Sequence, residues 1–170
     1  MGIFVNDCTD IDIINCISHS VPTGSQSTTE TTFASHLVLA NICFQSASDN
    51  NLINCTSYNS PYGIYIGINS NDNYVANCTS YNNNYGICLE RSSNNNLIHH
   101  NNFINNVGTN AYDACSNQWD DGITGNYWSD YTGVDDDGNG IGDTPYNISG
   151  DGNQDRYPLM APRDEVQFAT

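Results

Sequence analysis

Lysine is absent from this 170-residue chain, and its three arginines (Arg91, Arg156 and Arg163) face 19 acids, for a formal net charge of −16. A charge of that sign repels phosphate backbones and anionic headgroups, which excludes nucleic acid and argues against docking on an anionic membrane. Long apolar runs are absent as well. No stretch approaches the roughly 20 residues of a membrane span, so membrane insertion is not expected. The N-terminus lacks the basic, apolar pattern of a secretory signal. It begins Met1-Gly2-Ile3-Phe4-Val5, already in the repeat pattern described below, which reads as an excised piece of a longer exported protein. The seven cysteines (Cys8, Cys16, Cys43, Cys55, Cys78, Cys88 and Cys115) form no CxxC pair and no zinc spacing. Their odd number and repeat-locked places suit inert, buried thiols better than a disulfide framework. Helical periodicity is missing too: nowhere do apolar residues recur every three or four positions over about ten residues.

What is present is a repeat. Cys55-Thr56-Ser57-Tyr58-Asn59 recurs as Cys78-Thr79-Ser80-Tyr81-Asn82, and Gly63-Ile64-Tyr65-Ile66 as Gly86-Ile87-Cys88-Leu89, both with a shift of 23. Phe103 and Gly108 follow Tyr81 and Gly86 with shifts of 22, and the run from Ile42 to Ile53 matches that from Ile87 to Ile98 at 45, or two coils. Short β-type runs broken by Asn, Ser, Asp and Gly at this period are the rungs of a three-sided β-solenoid. The fold class is therefore all-β: a right-handed parallel β-helix of about 22–23 residues per coil. Ile, Leu and Val fill the inside, Tyr58, Tyr81 and Phe103 are expected to stack as an aromatic ladder, and Asn sits at corners because it tolerates left-handed backbone. The alignment leaves the partner of Cys55 open by one residue. Residues 1–110 are assigned to coils, with a Ser/Thr-rich loop excursion at about 21–35, and residues 111–170 to a C-terminal cap holding Trp119 and Trp128.

The rungs resemble the NosD-like, or carbohydrate-binding and sugar-hydrolase (CASH), class of β-helix repeats. The tail is similar to the ending of archaeal surface proteins of this class, through Asn101-Asn102-Phe103, Asn110-Ala111-Tyr112-Asp113, Gly125-Asn126-Tyr127-Trp128-Ser129-Asp130-Tyr131, Gly140-Ile141-Gly142-Asp143-Thr144-Pro145-Tyr146 and Asp155-Arg156-Tyr157-Pro158-Leu159-Met160. The resemblance implies a β-helix exported to the cell surface; it implies a reaction only weakly. The copper role attached to the family name needs sulfur or imidazole ligands. Adjacent His99 and His100 would point to opposite faces of a strand, and there is no methionine cluster, so copper is not expected.

The sharpest chemical pattern is Asp135-Asp136-Asp137-Gly138-Asn139-Gly140-Ile141-Gly142-Asp143, which fits D-x-D-x-[DN]-G-x-x-D. Oxygens at positions 1, 3 and 5, a carbonyl at 7 and an acid at 9 converge on a hard cation. The expected calcium ligands are Asp135, Asp137, Asn139, the carbonyl of Ile141, and Asp143. Position 12 is Tyr146, so the bidentate glutamate of an EF-hand is missing, and Asp130, Asp151 or Asp155 would have to complete the shell.

For the coils, catalysis is not favoured: their acids are scattered, Arg91 is their lone cation beside Glu90, and no nucleophile–base pair is visible. The favoured function is a calcium-stabilised structural or adhesive cell-surface module. A carbohydrate-binding module is the alternative, with Tyr62, Tyr65, Tyr74 and Tyr85 as candidate sugar contacts. A polysaccharide lyase or glycoside hydrolase fragment ranks third. Candidate partners are surface glycans and neighbouring β-helix coils, with end-to-end self-association at the first rung. Sequons at Asn54, Asn77 and Asn147 suit export, with the first two expected to be hidden in the rungs.

Overall fold

The computed structural model describes residues 2–19 and 40–163; the expected loop at about 21–35 lies outside them. Coil one holds β1 (Ile3–Asn6), β2 (Asp12–Ile14) and β3 (Ile17–His19); coil two holds β4 (Ala40–Gln45), β5 (Asn51–Ile53) and β6 (Thr56–Tyr58). Coil three holds β7 (Tyr62–Gly67), β8 (Tyr74–Ala76) and β9 (Thr79–Tyr81), and coil four holds β10 (Tyr85–Leu89), β11 (Leu97–His99) and β12 (Asn102–Ile104). Five short strands follow: β13 (Thr109–Asp113), β14 (Tyr127–Trp128), β15 (Tyr146–Asn147), β16 (Ser149–Gly150) and β17 (Gln154–Asp155).

The chain is a parallel β-helix. Three parallel sheets run along it, in the orders β1-β4-β7-β10-β13-β16, β2-β5-β8-β11 and β3-β6-β9-β12-β14, while β15 and β17 pair antiparallel. Strand alternation sends every second side chain inward. Val5, Phe44, Ile66 and Leu89 stack in one register column, and Leu52, Val75 and Ile98 in another. Ile42, Phe44, Leu52, Ile66, Leu89, Ile98 and Phe103 are completely buried. Each such side chain contributes about 2 kcal/mol of burial free energy, which offsets the ordering of its short strand.

Corners come from left-handed residues. Asn15, Asn54, Asn77 and His100 form one such column between the second and third sheets, and Asn59, Asn82 and Asn105 another after the third. Asn54, Asn77 and Asn147 are exposed, so the sequons are not hidden in the rungs. Other asparagines sit inside. Asn50, Asn73, Asn96 and Asn117 form a ladder in which each amide side chain bonds the next, 2.9–3.0 Å apart, and the carboxamide oxygens also accept the backbone N–H of the rung before.

The register varies from coil to coil more than expected: Ile87 pairs Ala111 at a shift of 24, where 22 was expected from Gly86 and Gly108. Ile42 pairs Ile64 at a shift of 22, but Leu52 pairs Val75 and Ile53 pairs Ala76 at 23. The corner after β4 uses one left-handed residue, Ser46, where those after β7 and β10 use two, Ile68-Asn69 and Arg91-Ser92. Coils three and four share the two-residue corner, so the shift between them is 23 in all three sheets, where 22 was expected for Phe103. Tyr58 and Tyr81 stack at 4.8 Å, but Ile104 follows Tyr81 and Phe103 follows Ser80. Phe103 therefore points inward and stacks on Trp128 at 4.7 Å. The same shift of 23 pairs Cys55 with Cys78, whose sulfur accepts the Cys55 N–H, and Cys78 with Asn101.

The core is closed beyond coil four by aromatics. Trp128 lies between Phe103 and Tyr146, the latter at 4.3 Å with its ring nearly parallel, and Trp119 packs beside both Phe103 and Trp128. Two buried carboxylates hold the indoles. Asp113 accepts from Trp119 Nε1, Asn117 Nδ2 and the Cys115 N–H; Asp155 accepts from Trp128 Nε1 and the N–H groups of Asn126 and Tyr157. Gly125 is required here, since a Cβ would fall 1.7 Å from Asp155 Oδ1. Asp120 is paired with Arg156, whose Nε lies 3.0 Å from its Oδ2.

Candidate metal centres

The acidic loop folds around its own backbone. Asp135 Oδ1 accepts from the N–H groups of Gly138 (2.8 Å) and Asn139 (3.1 Å), and Oδ2 from Gly140 (2.8 Å). Asp137 accepts from the Asn139 N–H and amide, and Asn139 Oδ1 accepts from the Ile141 N–H. Asp143 Oδ2 reaches back to the Asp136 N–H at 2.7 Å, closing the loop. Gly138 and Gly140 have φ of +72° and +86°, the left-handed values that the turn needs. Hydrogen bonds from three backbone N–H groups, that of Gly140 foremost, hold the Asp135 carboxyl below its ordinary value. Two of the acids expected to complete the shell are engaged elsewhere: Asp130 accepts from Asn110 Nδ2 and the Tyr146 hydroxyl, and Asp155 is buried under Trp128.

A second constellation lies at the corner after β11. Among the described residues, His99, His100 and Asp121 are the three His, Cys, Asp or Glu side chains whose ligand atoms all fall within 4.8 Å of one another. Strand alternation would separate the two histidines, but β11 ends at His99, and His100 has φ of +60°. The left-handed corner swings the second ring beside the first, with centroids 4.5 Å apart. Sequence reasoning missed this pair by applying strand geometry one residue too far. The signal was there: a shift of 23 puts His100 in the corner column of Asn77.

Each member is positioned. His99 is 6% exposed, and its Nε2 lies 2.9 Å from the Tyr74 hydroxyl. Its Nδ1 is buried without a hydrogen-bond partner and faces Asp121 Oδ2 at 3.5 Å. Asp121 Oδ1 accepts from the N–H groups of Ile123 and Thr124, which aims Oδ2 at the histidine. The His100 N–H bonds the Gly125 carbonyl at 2.7 Å, tying the Asp121 loop to the corner. Burial lowers the pKa of both imidazoles, helped for His100 by His99 and opposed by Asp121, so both rings are neutral at pH 7. The N–H groups of Thr124 and Ile123 hold Asp121 below its ordinary value, so it is ionised. Two imidazole donors and one carboxylate suit a borderline transition-metal ion.

The four tyrosines proposed as sugar contacts divide between two sheets. Tyr62 and Tyr85 stack face to face at 5.1 Å, so each ring covers the other. Tyr65 is 2% exposed and donates its hydroxyl to Glu90, while Tyr74 serves His99. Glu90 also bonds Arg91 Nε at 3.0 Å. The cysteines are all free; burial pushes Cys43 and Cys88 up to about 12. Cys55 is different, drawn down to about 7 chiefly by a hydrogen bond from Cys78.

A family described as "Periplasmic copper-binding protein (NosD)" matches residues 1–133. The chain belongs to the NosD family. The match spans the coils, both indoles and the His99-His100-Asp121 set, and stops short of Asp135. Comparison with curated proteins and with solved structures gave no significant match. The NosD description places the family outside the cytoplasm, as expected for an exported β-helix.

Proposed function

We propose that this NosD-family chain is a structural or adhesive β-solenoid module of the cell surface, with a calcium loop bracing its C-terminal end. The observation that carries the reading is the unbroken sheet β1-β4-β7-β10-β13-β16, which runs the length of the described chain and makes it a rigid spacer. Its first coil presents Phe4, Ile14 and Ile17 to solvent, at 58%, 49% and 71% exposure, on strands at the edge of each sheet. Such edges favour stacking on another coil, whether of a longer chain or of a second molecule.

Copper, the metal in the family description, does not suit the loop at Asp135–Asp143, whose donors are all oxygens. Calcium does. An ion held by Asp135, Asp137, Asn139, the Ile141 carbonyl and Asp143 would neutralise carboxylates crowded into nine residues and fix the loop against the end of the solenoid. The loop is joined to it by the Gly142 N–H to Pro158 carbonyl and Met160 N–H to Gly140 carbonyl bonds. At about 100 times the dissociation constant, binding adds roughly 2.7 kcal/mol of stability. Millimolar calcium should therefore raise the melting temperature, chelator should lower it, and D135A/D137A should abolish the difference. Equal melting in calcium and in chelator, with no calcium in the purified protein by metal analysis, rejects the calcium assignment.

A further inference from the structure

We propose that His99, His100 and Asp121 form a transition-metal site for a divalent ion of the copper–zinc class. This rests on the corner geometry and is independent of the spacer reading and of the calcium loop.

The decisive feature is His99 Nδ1. A buried ring nitrogen without a partner costs free energy unless something occupies its lone pair or its proton. If Nε2 keeps the proton and donates it to the Tyr74 oxygen, Nδ1 is left as a lone pair facing the Asp121 carboxylate, two acceptors 3.5 Å apart. A cation between them removes that repulsion. The arrangement is also the usual second-shell pattern, in which a ligating histidine donates its other N–H to an oxygen that fixes tautomer and ring angle. Zinc and copper bind imidazole nitrogen at about 2.0–2.1 Å, which spaces donors roughly 3–4 Å apart. The His99–Asp121 pair already meets that spacing, and an inward rotation of the half-buried His100 brings in the third donor. Three protein ligands leave a coordination position open to water or another ligand.

The surroundings select the ion. The donor set holds no thiolate or thioether, which disfavours copper(I), and two imidazoles disfavour calcium and magnesium. The Irving–Williams order then ranks copper(II) above zinc(II). Arg163 lies near both histidines and opposes a cation, but Asp121 and Asp120 act on His99 in the opposite sense.

The test uses the full chain with exposed thiols capped by iodoacetamide and the acidic loop saturated with calcium. Copper(II) sulfate and, separately, zinc sulfate are titrated in. We expect about one equivalent of tight copper(II), with nitrogen hyperfine splitting in its electron paramagnetic resonance spectrum, and competition by zinc(II). His99 is buried and its replacement could disturb the core, so the diagnostic variants are H100A, at the half-buried corner, and D121N, on the exposed loop. Each should weaken copper(II) by at least about 10-fold while leaving circular dichroism unchanged. Y74F should weaken binding by about 10-fold, the loss typical of an outer-shell partner, and keep the nitrogen splitting. H19A, in coil one, should have no effect. Absence of saturable binding, a spectrum without nitrogen coupling, or equal affinity in wild type, H100A and D121N overturns the site and leaves His99–Asp121 as an ordinary polar contact.

Discussion

At the scale of single residues, backbone handedness and burial decide what each side chain can do. His99 and His100 come together because His100 has left-handed φ, which strand alternation hides and only the repeat spacing from the Asn77 corner conveys. Asp155 is a parallel case: it reads as a calcium-ligand candidate among many acids, yet the fold spends it under Trp128. Burial raises its carboxyl to about 6 from an ordinary 3.8, despite the N–H donors that favour the charged form. The folded state thus holds this proton more tightly than the unfolded one. The stability that the proton contributes is full below about pH 4 and is lost as pH rises through about 6, a change of about 3 kcal/mol. Asp113, also raised by burial, acts in the same direction. D155N cannot titrate, so the stability of wild type relative to D155N should grow as pH is lowered from 7 to 4 in urea unfolding. A difference that stays constant over that range would show that Asp155 is not the group responsible.

At the scale of elements, the sequence made the coil legible and left its register open. Strand runs such as Gly63-Ile64-Tyr65-Ile66 and Asn51-Leu52-Ile53 named the sheets, because alternation and turn residues are local properties. The slip of one residue was not local. Corners that take one left-handed residue after β4 and two after β7 change the shift from 22 to 23 between coils two and three; between coils three and four it stays at 23, which puts Ile104 on Tyr81 and Phe103 in the core. The asparagine column was half legible: corner asparagines were expected, whereas Asn50, Asn73, Asn96 and Asn117 do their bonding inside. Asn73 accepts the Asn50 N–H and amide and donates to Asn96 Oδ1 and the Ala47 carbonyl. N73A should strand several buried polar groups on two neighbouring coils. At about 1–3 kcal/mol for each group left unpaired, the loss should reach at least 3 kcal/mol in urea unfolding. N77A, at an exposed corner, should cost about 1–2 kcal/mol for its left-handed backbone. Equal costs at the two positions would mean that the inner ladder adds nothing beyond backbone conformation.

At the scale of the molecule, a solenoid is held by contacts between successive coils, so its stability is distributed along one axis. The distribution here is uneven. Coils three and four have neighbours on both sides, and Ile64, Ile66, Val75, Ile87, Leu89 and Ile98 are each 1% exposed or less. The aromatic stack Phe103-Trp128-Tyr146 and the carboxylates Asp113 and Asp155 close the side beyond them. Among the described residues, coil one has a neighbouring coil on one side; its inward Val5 and Ile13 retain 6% and 8% exposure, and Phe4, Ile14 and Ile17 face water. Amides in β7–β12 should therefore exchange with solvent only on global opening, and those in β1–β3 by cheaper local opening. Native-state hydrogen exchange with mass-spectrometric readout should show a gradient rising from coil one to coils three and four. If copies stack through coil one, protection of β1–β3 should also increase with protein concentration while that of β7–β12 stays fixed, since only the outer rung gains a neighbour. Uniform protection from β1 to β12 at every concentration would mean that the chain opens as one cooperative unit, and that the exposed edge of coil one is neither a weak end nor a stacking face.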